Sequence, residues 1–167
     1  DSGVTISGST SDTIVEGTSS TNQTLTAALI GTPSANVNMI IDAPDDLTIS
    51  GSNISVVDAS ANTYVMTLNS NTTSENFIVS AANSVNSGTA TLQYSTVSTD
   101  SAYNALSIPS TEFTVEENIA TFEVTDITYS SSSGYVSEGS TTTAKYEIEE
   151  IGLSATDDLE LIVDASG

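Results

Sequence analysis

The chain is almost without positive charge: Lys145 is its only base, with no arginine and no histidine. Against it stand 22 aspartates and glutamates, for a formal net charge of −21 over 167 residues. Internal salt bridges cannot offset that charge, so either salt or bound cations must do so. DNA, RNA and anionic lipid are excluded as partners on the same ground, because each is held by basic contacts. Cysteine is absent, which removes disulfide staples but not secretion. Calcium is a clamp that would serve instead, since a hard cation gathers several carboxylate and carbonyl oxygens. Without His or Cys there is no Ser-His triad, zinc centre or imidazole base. A glycosidase needs only two carboxyl groups, yet nothing in the pattern selects a pair. Phosphate-loop and EF-hand spacings are missing as well, and the chain reads as a non-enzyme. No window is long and apolar enough to cross a membrane. The opening DSGVTISG is not a signal peptide, although a mature chain has already lost one.

What is present is β grammar. Hydrophobic residues make up 37% of the chain, spread evenly enough to build a core. Thr, Val and Ile alternate with polar residues, and no stretch keeps a helical period for three turns. The period of two predicts strands at 3–7, 12–15, 21–30, 36–42, 46–49, 53–57, 62–68, 75–82, 88–97, 111–115 and 119–125. In NTYVMTL, Tyr64, Met66 and Leu68 share one face; in GTATLQYSTV, Ala90, Leu92 and Tyr94 do. The expected fold is all-β, an immunoglobulin-like β-sandwich of Greek-key type.

The two ends of the chain repeat each other. VNMIIDA at 37–43 returns as LELIVDA at 159–165, 122 positions later. VTISGSTSDTIVEG at 4–17 matches ITYSSSSGYVSEG at 127–139, and TNQTLTAALIG matches TTAKYEIEEIG. This order predicts one complete unit at 1–125 and the opening strands of a second at 126–167. Forty residues do not easily close a sandwich, so the second unit is expected to be completed by further sequence or by another chain.

EGTSSTNQTLTAALIGTPSANVNMII, with the later GTATLQYSTV and TEFTVEENIATFEV, resembles the modules of large prokaryotic surface proteins. These are the Calx-beta-like and bacterial immunoglobulin-like repeats of adhesins and S-layer proteins. The pairs Glu16-Gly17 and Glu138-Gly139 are similar to an early acidic-glycine turn of the Calx-beta modules. The resemblance implies calcium binding by acids at strand ends and loops, and extracellular work that is load-bearing or lattice-forming.

The candidate cation ligands follow. Asp42, Asp45 and Asp46 end a strand and enter the turn IIDAPDDL. Asp164, Asp157 and Asp158 are their counterparts in the second unit. Glu16 and Glu138 occupy equivalent turns, and Asp126 marks the junction between units. The plainer reading of Asp45-Asp46 and Asp157-Asp158 is as turn formers bonded to nearby backbone amides. Glu147, Glu149 and Glu150 read as the solvated face of a strand, which discourages edge pairing. Three sequons, at Asn22, Asn53 and Asn71, permit N-glycosylation where the machinery exists. Aromatics are few, six Tyr and three Phe without Trp, and Tyr103 in the 98–110 loop is placed as a recognition residue.

The function expected from these features is a structural module of a prokaryotic extracellular assembly: an S-layer, surface filament or adhesin stalk. It would self-associate through strand edges or tandem contacts, with divalent cations offsetting the acidic surface. The alternatives are a carbohydrate- or receptor-binding adhesin module using the 98–110 loop, and a viral surface or fibre component.

Overall fold

Alternating β-branched residues hold a chain extended, and every run expected from that alternation overlaps a strand in the computed structural model. The structure describes residues 1–83, 86–118, 121–129, 138–139, 141 and 143–151. Asp157, Asp158 and Asp164, the second-unit acids, lie outside the described residues. The chain divides into two compact units, Asp1–Asn118 and Ile119–Gly167.

The first unit is an immunoglobulin-like β-sandwich. One sheet has four strands: β1 (Gly3–Ser7), β3 (Gln23–Ile30), β8 (Ser74–Ser80) and β5 (Thr48–Ser50), paired in that order. The other has six: β2 (Thr13–Val15), β10 (Thr111–Glu116), β9 (Gly88–Ser98), β4 (Val37–Asp42), β7 (Thr63–Leu68) and β6 (Ser55–Asp58). Their inner faces carry the apolar member of each alternating pair. Leu25, Phe77 and Val79 meet Met39, Ile41, Met66, Leu68 and Leu92, all essentially buried. Phe77 and Tyr94 pack edge to face across the core, with ring centroids 6.4 Å apart. Tyr94 also donates a hydrogen bond to Thr111 Oγ1 at 2.8 Å, which satisfies its hydroxyl inside the sandwich.

The first fifteen residues serve both sheets. β1 runs antiparallel to β3, the chain then crosses the sandwich, and β2 runs parallel to β10. Gly8 opens the crossing with φ +104°, and a side chain there would meet Thr24 O at 2.9 Å. Gln23 holds the crossing from below. Its Oε1 accepts from the backbone N–H groups of Thr10 and Ser11 at 3.0 and 3.1 Å, while its Nε2 donates to Thr21 O at 3.0 Å. Ile14, fully buried, anchors the three-residue β2.

The described part of the second unit is an antiparallel pair, β11 (Thr121–Tyr129) and β12 (Ala144–Ile151). The boundary expected after residue 125 falls inside β11, and residues 121–125 of the run expected as the last strand of the first unit pair with β12. Its alternation continues through DITY, and its hydrogen-bonding partner is β12. A bulge between Val124 and Asp126 leaves Thr125 as an extra residue. The register puts Val124, Ile127, Tyr146 and Ile148 on one face, and Glu123, Asp126, Lys145, Glu147 and Glu149 on the other. The bounds of β12 are those of β3 moved 121 positions along, from 23 to 144 and from 30 to 151. Gly17 and Gly139, which follow the two matched glutamates, both adopt left-handed backbone, with φ +60° and +77°.

Candidate functional site

Strand direction gathers the four candidate acids of the first unit at one end of the sandwich. β2, β4 and β10 all finish there, so Glu16, Asp42, Asp45, Asp46, Glu116 and Glu117 lie on or beside neighbouring loops at that end. Glu16 is the one that is buried, with 7% exposure. Its backbone N–H donates to Glu116 O at 3.0 Å, and Gly17 N–H donates to Ala81 O at 2.9 Å, which ties the turn to both sheets. Its carboxylate Oε1 accepts from the backbone N–H of Asn118 at 3.3 Å. Asn118 Nδ2 in turn donates to Thr18 Oγ1 at 3.0 Å. Oε2 of Glu16 is buried and has no hydrogen-bond partner among the described residues. A half-satisfied carboxylate in that setting is costly unless something else supplies positive charge or a proton donor.

The aspartates of the IIDAPDDL turn are engaged differently. Asp42 is exposed and accepts from Thr63 Oγ1 at 3.0 Å across the β4–β7 pair. Asp46 accepts from the backbone N–H of Asn86 at 3.3 Å, which links this turn to the loop before β9. The turn itself is held by Asn62, whose Nδ2 donates to Pro44 O and Leu47 O, both at 2.7 Å. Asn62 takes a left-handed φ of +49°, a conformation its short polar side chain tolerates. Asp45 is exposed. Among the described residues, no three Asp, Glu, His or Cys side chains converge into a group that would hold a metal ion. The four acids share an end of the fold without forming one ligand set.

In the second unit Asp126 stands opposite Glu147 across the β11–β12 ladder, and Glu123 stands opposite Glu149. Like charges placed so are mutually destabilising. Lys145, the only base, shares their face, and Asp126, Thr128, Lys145 and Glu147 line a recess of about 90 Å³. Asp126 Oδ1 also accepts from the backbone N–H of Ile127 at 2.8 Å. Glu138 is exposed on its turn.

Tyr103 is a correction. Placed by sequence as an exposed recognition residue, it is 2% exposed, and its hydroxyl donates to Ile30 O at 2.7 Å. It plugs the opposite end of the sandwich, where Gly31, at φ +83°, leaves room for it. The same loop is held by Asp100, which accepts from Ser34 N–H and Oγ at 2.8 and 2.9 Å and from Ala102 N–H at 3.0 Å. Those donors hold its carboxyl below the usual range. Asp58 is held down in the same way by Ser60 and the Ala61 amide. Neither aspartate stands out in the sequence from the other acids, nor does Gln23.

The three sequons differ in setting. Asn53 Nδ2 is engaged with Glu75 Oε1 at 2.6 Å, on the wall of a surface recess of about 430 Å³. Asn22 closes a 3-10 turn at Ser19–Thr21 and is half-buried. Asn71 is exposed on the β7–β8 turn. Among the described residues no helix is long and apolar enough to cross a membrane.

The sequence matches no family model and no curated protein. Among solved structures it is similar to a non-cellulosomal cohesin from the hyperthermophilic archaeon Archaeoglobus fulgidus, at 12% identity and TM-score 0.43, over 68% of this chain and 91% of that one. It is also similar to a chain of the CaDoc0917–CaCohA2 complex, at 14% identity and TM-score 0.42, over 68% of this chain and 100% of that one.

Proposed function

We propose that this chain is a structural module of a prokaryotic extracellular assembly, of the S-layer, surface-filament or adhesin-stalk kind, whose acidic surface is offset by divalent cations. Charge carries the reading. A net charge of −21 with a single lysine leaves nothing inside the chain to neutralise its carboxylates. The buried, unpartnered Oε2 of Glu16 supports a cation, calcium by preference, at that turn. Backbone carbonyls and water would have to complete its shell, because the neighbouring acids do not converge on it. Asp42, Asp45, Asp46, Asp126 and Glu138 are then sites of looser, screening occupancy. The chain is not equipped as an enzyme, having neither His nor Cys.

Tandem repetition of the unit supports the spacing role. β12 reproduces the bounds of β3, and the Glu-Gly turn recurs with its left-handed glycine. Val124, Ile127 and Ile148 are exposed on the apolar face of the β11–β12 pair, a face of the kind that a second sheet covers in a sandwich. The rival reading as a sugar- or receptor-binding module loses its aromatic contact once Tyr103 is buried.

The test is thermal unfolding in calcium chloride and in sodium chloride at equal ionic strength, for the native chain and for Glu16→Gln. Calcium should raise Tm beyond sodium in the native chain, and Glu16→Gln should remove most of that excess. Equal effects of the two salts would refute cation binding at this turn.

A further inference from the structure

Carboxylates are spread over most of this molecule but not over one broad surface. On β1, β3, β8 and β5 the inward positions are fixed by Val4, Leu25, Phe77, Val79 and Ile49. The outward positions therefore follow by alternation, and every one is Gly, Ala, Ser, Thr, Asn or Ile. The register lines them up in rows, Ser7–Thr26–Asn76 and Thr24–Ile78–Ser50. Thr26 Oγ1 donates to Asn76 Oδ1 at 2.8 Å within the first row. Ile30 and Ile78 are 44% and 38% exposed on this face. The outer face of the six-stranded sheet, by contrast, carries Asp42, Glu112 and Glu116, and the polar face of β11–β12 carries Glu123, Asp126, Glu147 and Glu149.

We propose that the outward face of the four-stranded sheet is where a second copy of this chain docks, face to face. The inference rests on the self-association in the reading above and names its surface. Two molecules of charge −21 repel, and the repulsion is strongest where carboxylates are brought within a Debye length, about 8 Å at physiological salt. Meeting on the four-stranded face brings no outward-facing carboxylate into the contact, since Glu75 of β8 takes an inward position by alternation and accepts from Asn53, and it pairs hydroxyls and amides around two aliphatic side chains. From strand spacing and rise the face measures on the order of 400–500 Å². A stable pairwise interface covers about 800 Å² per partner, so a single contact is weak and gains strength only by repetition along an assembly.

The test is sedimentation velocity over a concentration series in about 0.15 M and about 1 M sodium chloride, free of divalent ions. Thr26→Glu and Ile78→Glu each add one negative charge to the face. Gln93→Glu and Val97→Glu add the same charge to the outer face of the six-stranded sheet, and melting curves confirm that all four fold. The native chain should associate more strongly at the higher salt. Thr26→Glu and Ile78→Glu should each weaken association at least tenfold, while Gln93→Glu and Val97→Glu leave it within twofold. Association that survives Thr26→Glu and Ile78→Glu, or falls equally in all four variants, overturns the face but leaves self-association standing. A native chain that stays monomeric throughout this series, and in added calcium as well, overturns both.

Discussion

At the scale of single residues, the informative side chains are polar ones placed where polarity is costly. Gln23 satisfies two backbone N–H groups of the segment that crosses between the sheets, those of Thr10 and Ser11, and the carbonyl of Thr21. Gln23→Leu removes all three of those bonds from a buried position and should destabilise the protein by about 2–4 kcal/mol in urea titration. Tyr94 gives a pH signature. Burial pushes its hydroxyl up to about 12, above the ordinary value near 10. The folded state therefore keeps a proton that the unfolded chain has lost. The stabilisation is intact below pH 10 and disappears as pH rises from there to about 12, a loss of roughly 2–3 kcal/mol. Tyr94→Phe should flatten the alkaline limb of stability against pH; an unchanged limb would assign the fall to other groups. Asp58 and Asp100 work in the opposite sense. Their lowered values contribute stability above the ordinary carboxylate range, lost as pH falls through the folded values, so Asp100→Asn should blunt acid unfolding. The roles of Gln23, Asp58 and Asp100 were not legible in the sequence, because an Asp or Gln that caps a loop looks like one that faces water. Tyr103 misled for a related reason. Its loop is rich in Ser, Asn and Asp, yet the side chain turns inward to a carbonyl 73 positions away in sequence.

At the scale of elements, period-two alternation carries the strands. Tyr64, Met66 and Leu68 on one face of β7, and Ala90, Leu92 and Tyr94 on one face of β9, are all inside, because period-two patterning and burial are two views of the same constraint. What patterning does not contain is the choice of partner. It located the run after 119 but not that this run continues to Tyr129 and pairs with β12. Nor does it show that the first fifteen residues divide between two sheets. β2 tests that division, since its three residues hold to β10 through one short parallel ladder and one core side chain. Ile14→Ala should cost about 2–5 kcal/mol and increase amide exchange in residues 13–16 before it does so in β3. A loss below ~1 kcal/mol would mean that β2 adds little to the sandwich.

At the scale of the whole molecule, charge dominates. The candidate acids were found by type and by position at strand ends, and the fold does bring the four first-unit acids to one end. It leaves them apart as side chains, and among the described residues Glu16 alone of the four is buried with an unpartnered oxygen. Convergence of side chains depends on loop geometry, which strand grammar does not encode. A chain with this much unbalanced charge should gain stability with any salt, by relief of self-repulsion. It should gain more from a cation that binds. The most direct measurement is the mass of the intact particle by light scattering, first with calcium and then with excess chelator, at constant ionic strength. A cation-dependent assembly gives a large particle in calcium that shrinks reversibly on chelation. A single monomeric mass under both conditions would contradict it.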